Sequence, residues 1–173
     1  VDAATYATPL NALKAGTAVI NSQTVMDAFL GNVGGCIGET CALALIIGGI
    51  YLIWKQVISW RIPVVYMATV FVLLFILRGN GFMGSVYELC VGGLMLGAIF
   101  MATDYVTSPY TLKGKIVFGI GLGLITMLIR VFGTMTEGVS YAILLMNLFV
   151  PYINQLTRQK PLGAPKKVKE AKK

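Results

Sequence analysis

Residues 62–77 read IPVVYMATVFVLLFIL, sixteen consecutive uncharged residues closed at either end by Arg61 and Arg78. A helix rises about 1.5 Å per residue, so such a run covers most of a hydrocarbon core about 30 Å thick. Polar and apolar residues do not alternate along it with period two, which argues against a barrel strand. Four more runs flank it: TCALALIIGGIYLIW at 40–54, LCVGGLMLGAIFMAT at 89–103, IVFGIGLGLITMLI at 116–129 and GVSYAILLMNLFVPYINQLT at 138–157. A span needs about 20 apolar residues, and only the last run reaches that. The others cross only if their flanking charges snorkel or are buried between helices. Trp54, Trp60 and Tyr152 stand near run ends, where an aromatic belt forms. The expected fold is all-α and polytopic, with five transmembrane helices near 37–58, 62–78, 85–103, 115–132 and 138–156.

Composition points the same way. Of 173 residues, 57% are hydrophobic and 12% charged, about half the charge of a soluble domain. The net charge of +7 is concentrated, since seven of the fourteen Lys and Arg fall in RQKPLGAPKKVKEAKK, residues 158–173. That segment is polar, Pro-bearing and aperiodic, as expected of a disordered, solvated tail. Basic tails beside spans are orientation signals, so no nucleic-acid partner is expected. With the tail in the cytoplasm, Lys55, Arg61, Lys113 and Lys115 join it on the inner side, and Lys14, Arg78 and Arg130 lie outside. Eleven cations against three is a positive-inside distribution. The expected organisation is an outer segment over 1–36, a five-helix membrane domain over 37–157 and a cytoplasmic tail over 158–173. An outward segment without a Met or a preceding span does not cross a membrane unaided, so a hydrophobic segment is expected ahead of Val1.

Several motifs fail on their context. Gly79-Asn80-Gly81-Phe82-Met83-Gly84 has the spacing G-x-G-x-x-G, but it joins two membrane spans and lacks the strand that a dinucleotide site requires. Gly93 with Gly97, and Gly119 with Gly123, have the spacing that lets helices approach closely. Cys36, Cys41 and Cys90 are one short of the four ligands of an iron–sulfur cluster, and are read as small buried hydrophobes. The chain has no histidine, so His-ligated haem, His-containing zinc sites and Ser-His-Asp catalysis are excluded from it. No metal site and no complete active site are expected in this chain alone. Charges at membrane depth are costly unpaired, which singles out Glu39, Arg78, Glu88 and Arg130 at the outer helix ends and Asp104 at an inner one.

Two blocks carry a resemblance. ATDYVTSPYTLKGKIVFGIGLGLITMLIRVFGTMTEGVSYAILLMNLFVP, residues 102–151, resembles the C-terminal region of the RnfD subunits of the Rnf ferredoxin:NAD oxidoreductase. These are related to the NqrB subunits of the sodium-pumping NADH:quinone oxidoreductase. GGCIGETCALALIIGG, residues 34–49, is similar to another block of both. The resemblance covers nearly all of 2–154. It implies an inverted pair of five-helix repeats, of which this chain is the C-terminal one, and so an N-terminal half of the same subunit as a partner. It also implies a multi-pass protein of a prokaryotic inner membrane. Its place would be beside other membrane and peripheral subunits, in a complex that couples electron transfer from ferredoxin to NAD with Na+ or H+ translocation.

The family carries FMN in phosphoester linkage to a threonine in D-x-x-[ST]-G-A-[ST]. Here the matching stretch is Asp2-Ala3-Ala4-Thr5-Tyr6-Ala7-Thr8, which departs from the pattern at Tyr6. The resemblance thus implies covalent FMN on Thr8, with Asp2 and Thr5 as motif residues, and admits a second flavin held without a bond. Pro9 disfavours a helical conformation at Thr8 and should keep it extended. Arg78 and Arg130 are expected to pair with Glu39 and Glu88 near the flavin phosphate. Glu39, Glu88 and Asp104 are the cation-pathway candidates, the first and last because acids in the matching NqrB blocks are implicated in sodium handling. NqrB also has an acid near Asn154 that is absent here. The alternative is a redox-inactive transporter or assembly subunit in which ATYATPL is an ordinary polar loop capping a helix.

Overall fold

The computed structural model describes residues 8–16, 20–35, 38–79, 81–133, 135 and 137–158. All regular structure among them is helical. Three helices are long and apolar enough to cross a membrane: α4 (Arg61–Arg78), α7 (Leu112–Phe132) and α8 (Val139–Leu156). They correspond to the runs at 62–77, 116–129 and 138–157.

The remaining two runs depart from continuous spans. The run at 40–54 forms α3 (Ala42–Trp54), thirteen residues long and about 20 Å from end to end. The run at 89–103 is not one helix over 85–103. It contributes to α5 (Gly81–Cys90) and α6 (Leu94–Met101), which are bent by 68° and make a fourth span only if counted together. Gly92 at the break has φ 77°, a conformation that glycine adopts without steric cost. The final turn of α6 is π-helical, with the Ala102 N–H donating to the Gly97 carbonyl at 2.7 Å.

The segment ahead of α3 also holds more structure than a loop. Pro9 opens α1 (Pro9–Lys14), where its missing N–H costs nothing. In α2 (Ser22–Leu30) the Asn21 N–H donates to Thr24 Oγ1 at 2.9 Å, and Gly31 ends the helix with φ 98°. Leu10 of α1 and Ala28 of α2 pack with Ala42, Tyr87, Cys90 and Met95 in one apolar cluster. The small polar residues on the opposite faces conceal this amphipathic pattern in the sequence.

Glycines place the long helices. A Cβ on Gly119 would lie 2.9 Å from Val65 Cγ1, and one on Gly123 2.6 Å from Thr69 Cγ2. The two contacts advance together along both chains, so α4 and α7 run parallel at a separation only glycine permits. Gly121 is crossed by Met146 of α8 and Gly114 by Thr157, so α8 returns antiparallel. Tyr66 and Thr126 share a 2.6 Å hydroxyl–hydroxyl hydrogen bond inside this core. One end of the bundle therefore holds the ends of α4 and α7 and the starts of α3, α5 and α8. The other holds the 55–60 and 102–111 loops. Gly79 and Gly81, both at positive φ, turn α4 into α5, and no strand precedes them among the described residues.

Candidate functional site beneath Thr8

Thr8 caps α1 with φ −59° and ψ 145°, the extended geometry that a following proline favours. Its Oγ is buried and makes no hydrogen bond among the described residues, an uncommon state for a hydroxyl removed from water. The six-residue helix behind it is clamped at both ends. Leu10, 3% exposed, fills the space above Gly92, where a Cβ would come within 2.4 Å of Leu10 Cδ1. Lys14 Nζ donates to the carbonyls of Gly133 at 2.5 Å and Met135 at 3.2 Å. Those groups follow the C-terminus of α7, where the helix dipole favours a cation.

Under this clamp lies a cleft lined by Thr8, Gly35, Glu39, Cys90, Gly92 and Glu137, with only about 10 Å³ open to the centre of a water molecule. That is room for about one water. Buried charge surrounds it. Glu39 is 7% exposed, and Glu88 and Arg130 are each 1% exposed. Arg78 Nη1 lies 3.4 Å from Glu88 Oε1, and Arg130 Nη1 donates to the Glu88 backbone carbonyl at 3.1 Å. Among the described residues, Arg130 Nε and Nη2 and Glu88 Oε2 have no hydrogen-bond partner. The helix break lets these groups converge. A Cβ on Gly92 would stand 3.5 Å from Arg130 Nη2 and 3.8 Å from Glu137 Oε1, and one on Gly93 3.1 Å from Glu39 Oε2. In the loop before α8, burial pushes the Glu137 carboxyl above its ordinary range; Glu39's negative charge adds to this and Arg130 opposes it. Proton or cation uptake at this face would relieve the repulsion between the two carboxylates.

Of the residues singled out in the sequence, Arg78, Glu88 and Arg130 thus join in one buried group, and Glu39 lines the cleft with Thr8. Asp104 does not join them. It is exposed in the loop that precedes α7, where Thr107 Oγ1 donates to it at 3.2 Å. The whole length of α7, about 30 Å, separates that loop from Arg130. Asp2 and Thr5 lie outside the described residues, as does Cys36. Cys41 and Cys90 are free thiols, and Cys90 is buried in the apolar cluster beside the cleft. Glu137, which the sequence places in the loop beside those charges, lines the cleft, and Lys14 is a site residue that nothing in the sequence marks. It sits in no apolar run or motif, and its contacts span 119 and 121 positions.

Fold and site together define a polytopic α-helical membrane protein with a charge cluster buried at one end of its bundle, under a clamped surface helix. The chain belongs to the NQR2, RnfD, RnfE family, whose model matches residues 1–163. It is 49% identical to the D subunit of the Na+-translocating ferredoxin:NAD+ oxidoreductase complex of Acetobacterium woodii, over 99% of this chain and 53% of that protein. It is 44% identical to the D subunit of the proton-translocating ferredoxin:NAD+ oxidoreductase complex of Clostridium ljungdahlii, over 94% of this chain and 52% of that protein. A third relative, the D subunit of the ion-translocating oxidoreductase complex of Stutzerimonas stutzeri, is 40% identical over 80% of this chain and 40% of that protein. The chain spans about half the length of the curated relatives it matches.

Proposed function

We propose that this chain is part of the D subunit of an Rnf-type complex that couples electron transfer from ferredoxin to NAD with translocation of Na+ or H+. In this reading Thr8 carries FMN through its Oγ, and the other subunits of the complex complete the electron path. The observation that carries the proposal is the buried Thr8 Oγ, unpartnered among the described residues and held extended by Pro9 at the mouth of a charged cleft. The cleft fits the tether but not the flavin ring, since its free space is that of about one water. The ring then lies outside it, within reach of partner subunits. Bound FMN would supply one-electron redox chemistry. The chain's residues hold and shield the attachment point: Leu10 and Lys14 fix α1, and Arg130, with two donors unpartnered among the described residues, is the group suited to an anionic phosphate. Glu39 and Glu137 supply the carboxylates across which a proton or Na+ would be drawn when negative charge builds up nearby.

In-gel flavin fluorescence of the denatured, washed subunit from the mature complex tests this reading. Fluorescence should survive denaturation in the wild type and in Thr5→Val, and vanish in Thr8→Val. A wild-type band without fluorescence would favour the redox-inactive transporter. The positive-inside bias puts the Thr8 end on the outer face and Lys173 in the cytoplasm. A reporter fused after Lys173 should therefore behave as cytoplasmic, and an exported reporter would reverse the assignment.

A further inference from the structure

At the end of the bundle opposite Thr8, the 55–60 loop and the 102–111 loop enclose a cleft of about 430 Å³ whose lining includes Ser59, Trp60, Arg61, Tyr105 and Lys115 and no acidic residue. Ser59 Oγ is buried there without a hydrogen-bond partner among the described residues. Gln56 in the wall holds φ 56°, a left-handed conformation costing a non-glycine residue about 1 kcal/mol or more. The Tyr105 hydroxyl donates to the Val57 carbonyl and braces the two loops together. Trp54, Trp60 and Tyr105 are 76%, 53% and 73% exposed, and Arg61 lies over the Trp60 ring at 5.6 Å. Cations and exposed aromatics mixed at span ends mark the membrane–water boundary. A second groove adjoins the first. Its lining is almost wholly apolar, from Ile46, Ile50, Ile53, Pro63, Met67 and Ile99, and it shares Ile53 with the polar cleft.

We propose that these two grooves form one site for an anionic phospholipid. Arg61 and Lys115 pair with its phosphodiester, Ser59 Oγ donates to the headgroup, and an acyl chain follows the apolar groove. A polar, cationic cleft alone would suit any phosphate. The apolar groove on the other side of Ile53 is what selects a lipid over a soluble anion.

Native mass spectrometry of the whole detergent-purified complex, loaded from phosphatidylglycerol or from phosphatidylcholine vesicles, tests the site. The wild type should retain phosphatidylglycerol in preference to phosphatidylcholine, and added orthophosphate should not displace it. Arg61→Gln with Lys115→Gln should weaken retention about thirtyfold, from two surface cations at about fivefold each. Lys55→Gln removes a charge at the same end that does not line the cleft, and should leave retention unchanged. Should the double variant fail to fold, Ile53→Trp, which fills the groove and keeps both cations, should lower retention instead. Equal retention of the two lipids, displacement by orthophosphate, loss in Lys55→Gln, or full retention in both the double variant and Ile53→Trp would overturn the proposal.

Discussion

Replacing Arg130 with leucine is expected to cost the protein about 1–3 kcal/mol, the usual penalty for leaving a buried hydrogen-bonding group unsatisfied, with a further loss from the buried carboxylates it faces. Arg130 is 1% exposed, and its Nη1 satisfies the Glu88 backbone carbonyl beside the helix break. Without it, that carbonyl loses its side-chain donor, and Glu88 and Glu137 lose a nearby positive charge. Losing this much from a marginally stable fold should nearly abolish recovery of assembled complex. Size-exclusion chromatography of solubilised membranes, with a thermal scan of whatever survives, measures the effect. Arg130→Lys keeps the charge but not the planar fork, and should fall between the two. Lys55→Leu, at the far end of the bundle, should assemble normally. An Arg130→Leu complex as abundant and as stable as the wild type would show that the cluster does not hold this end together.

The second large effect concerns Gly92. Any Cβ at this position meets Leu10 Cδ1 at 2.4 Å and must also adopt φ 77°. Gly92→Val combines a clash in a packed contact with a left-handed β-branched residue, each worth about 1–3 kcal/mol. The weakest part of the contact should yield first, and that is α1, a six-residue helix held by Leu10 and Lys14. Gly92→Val should therefore free the segment around Thr8 and make it sensitive to limited proteolysis near 8–16, while α4, α7 and α8 stay intact. Leu10→Ala in the same chain should relieve the clash and restore part of the protection, a coupling that a double-mutant cycle reads directly. Equal cleavage rates in Gly92→Val and wild type would mean that Leu10 does not seat α1.

What could be read from the sequence follows from which physical signals are local. The runs at 62–77, 116–129 and 138–157 became α4, α7 and α8 because apolar length between charges is itself the requirement for a span. The same measure misjudged 89–103, since it counts residues and carries no direction. Gly92 and Gly93 were visible there, but Gly93 was read for its spacing to Gly97 and not as a place where a helix turns by 68°. The joining of Arg78, Glu88 and Arg130 was accessible because charges flanking short apolar runs must be paired or solvated. Asp104 satisfied the same rule in sequence, but it lies at the other end of α7, in water. Lys14 owes its place to contacts between distant segments, which no local pattern encodes. The two helices between residues 8 and 31 were hidden because their buried faces are small, and α1 has fewer than two turns to display a period.

If Thr8 Oγ, which has no hydrogen-bond partner among the described residues, is the flavin attachment point, the modification must be found on it. Mass spectrometry of the peptide covering residues 1–14, taken from the mature complex, measures it most directly. An FMN-sized addition is expected, localised by fragmentation to Thr8, absent in Thr8→Val and retained in Thr5→Val. An unmodified peptide from active complex, or an addition that maps to Thr5, would contradict it.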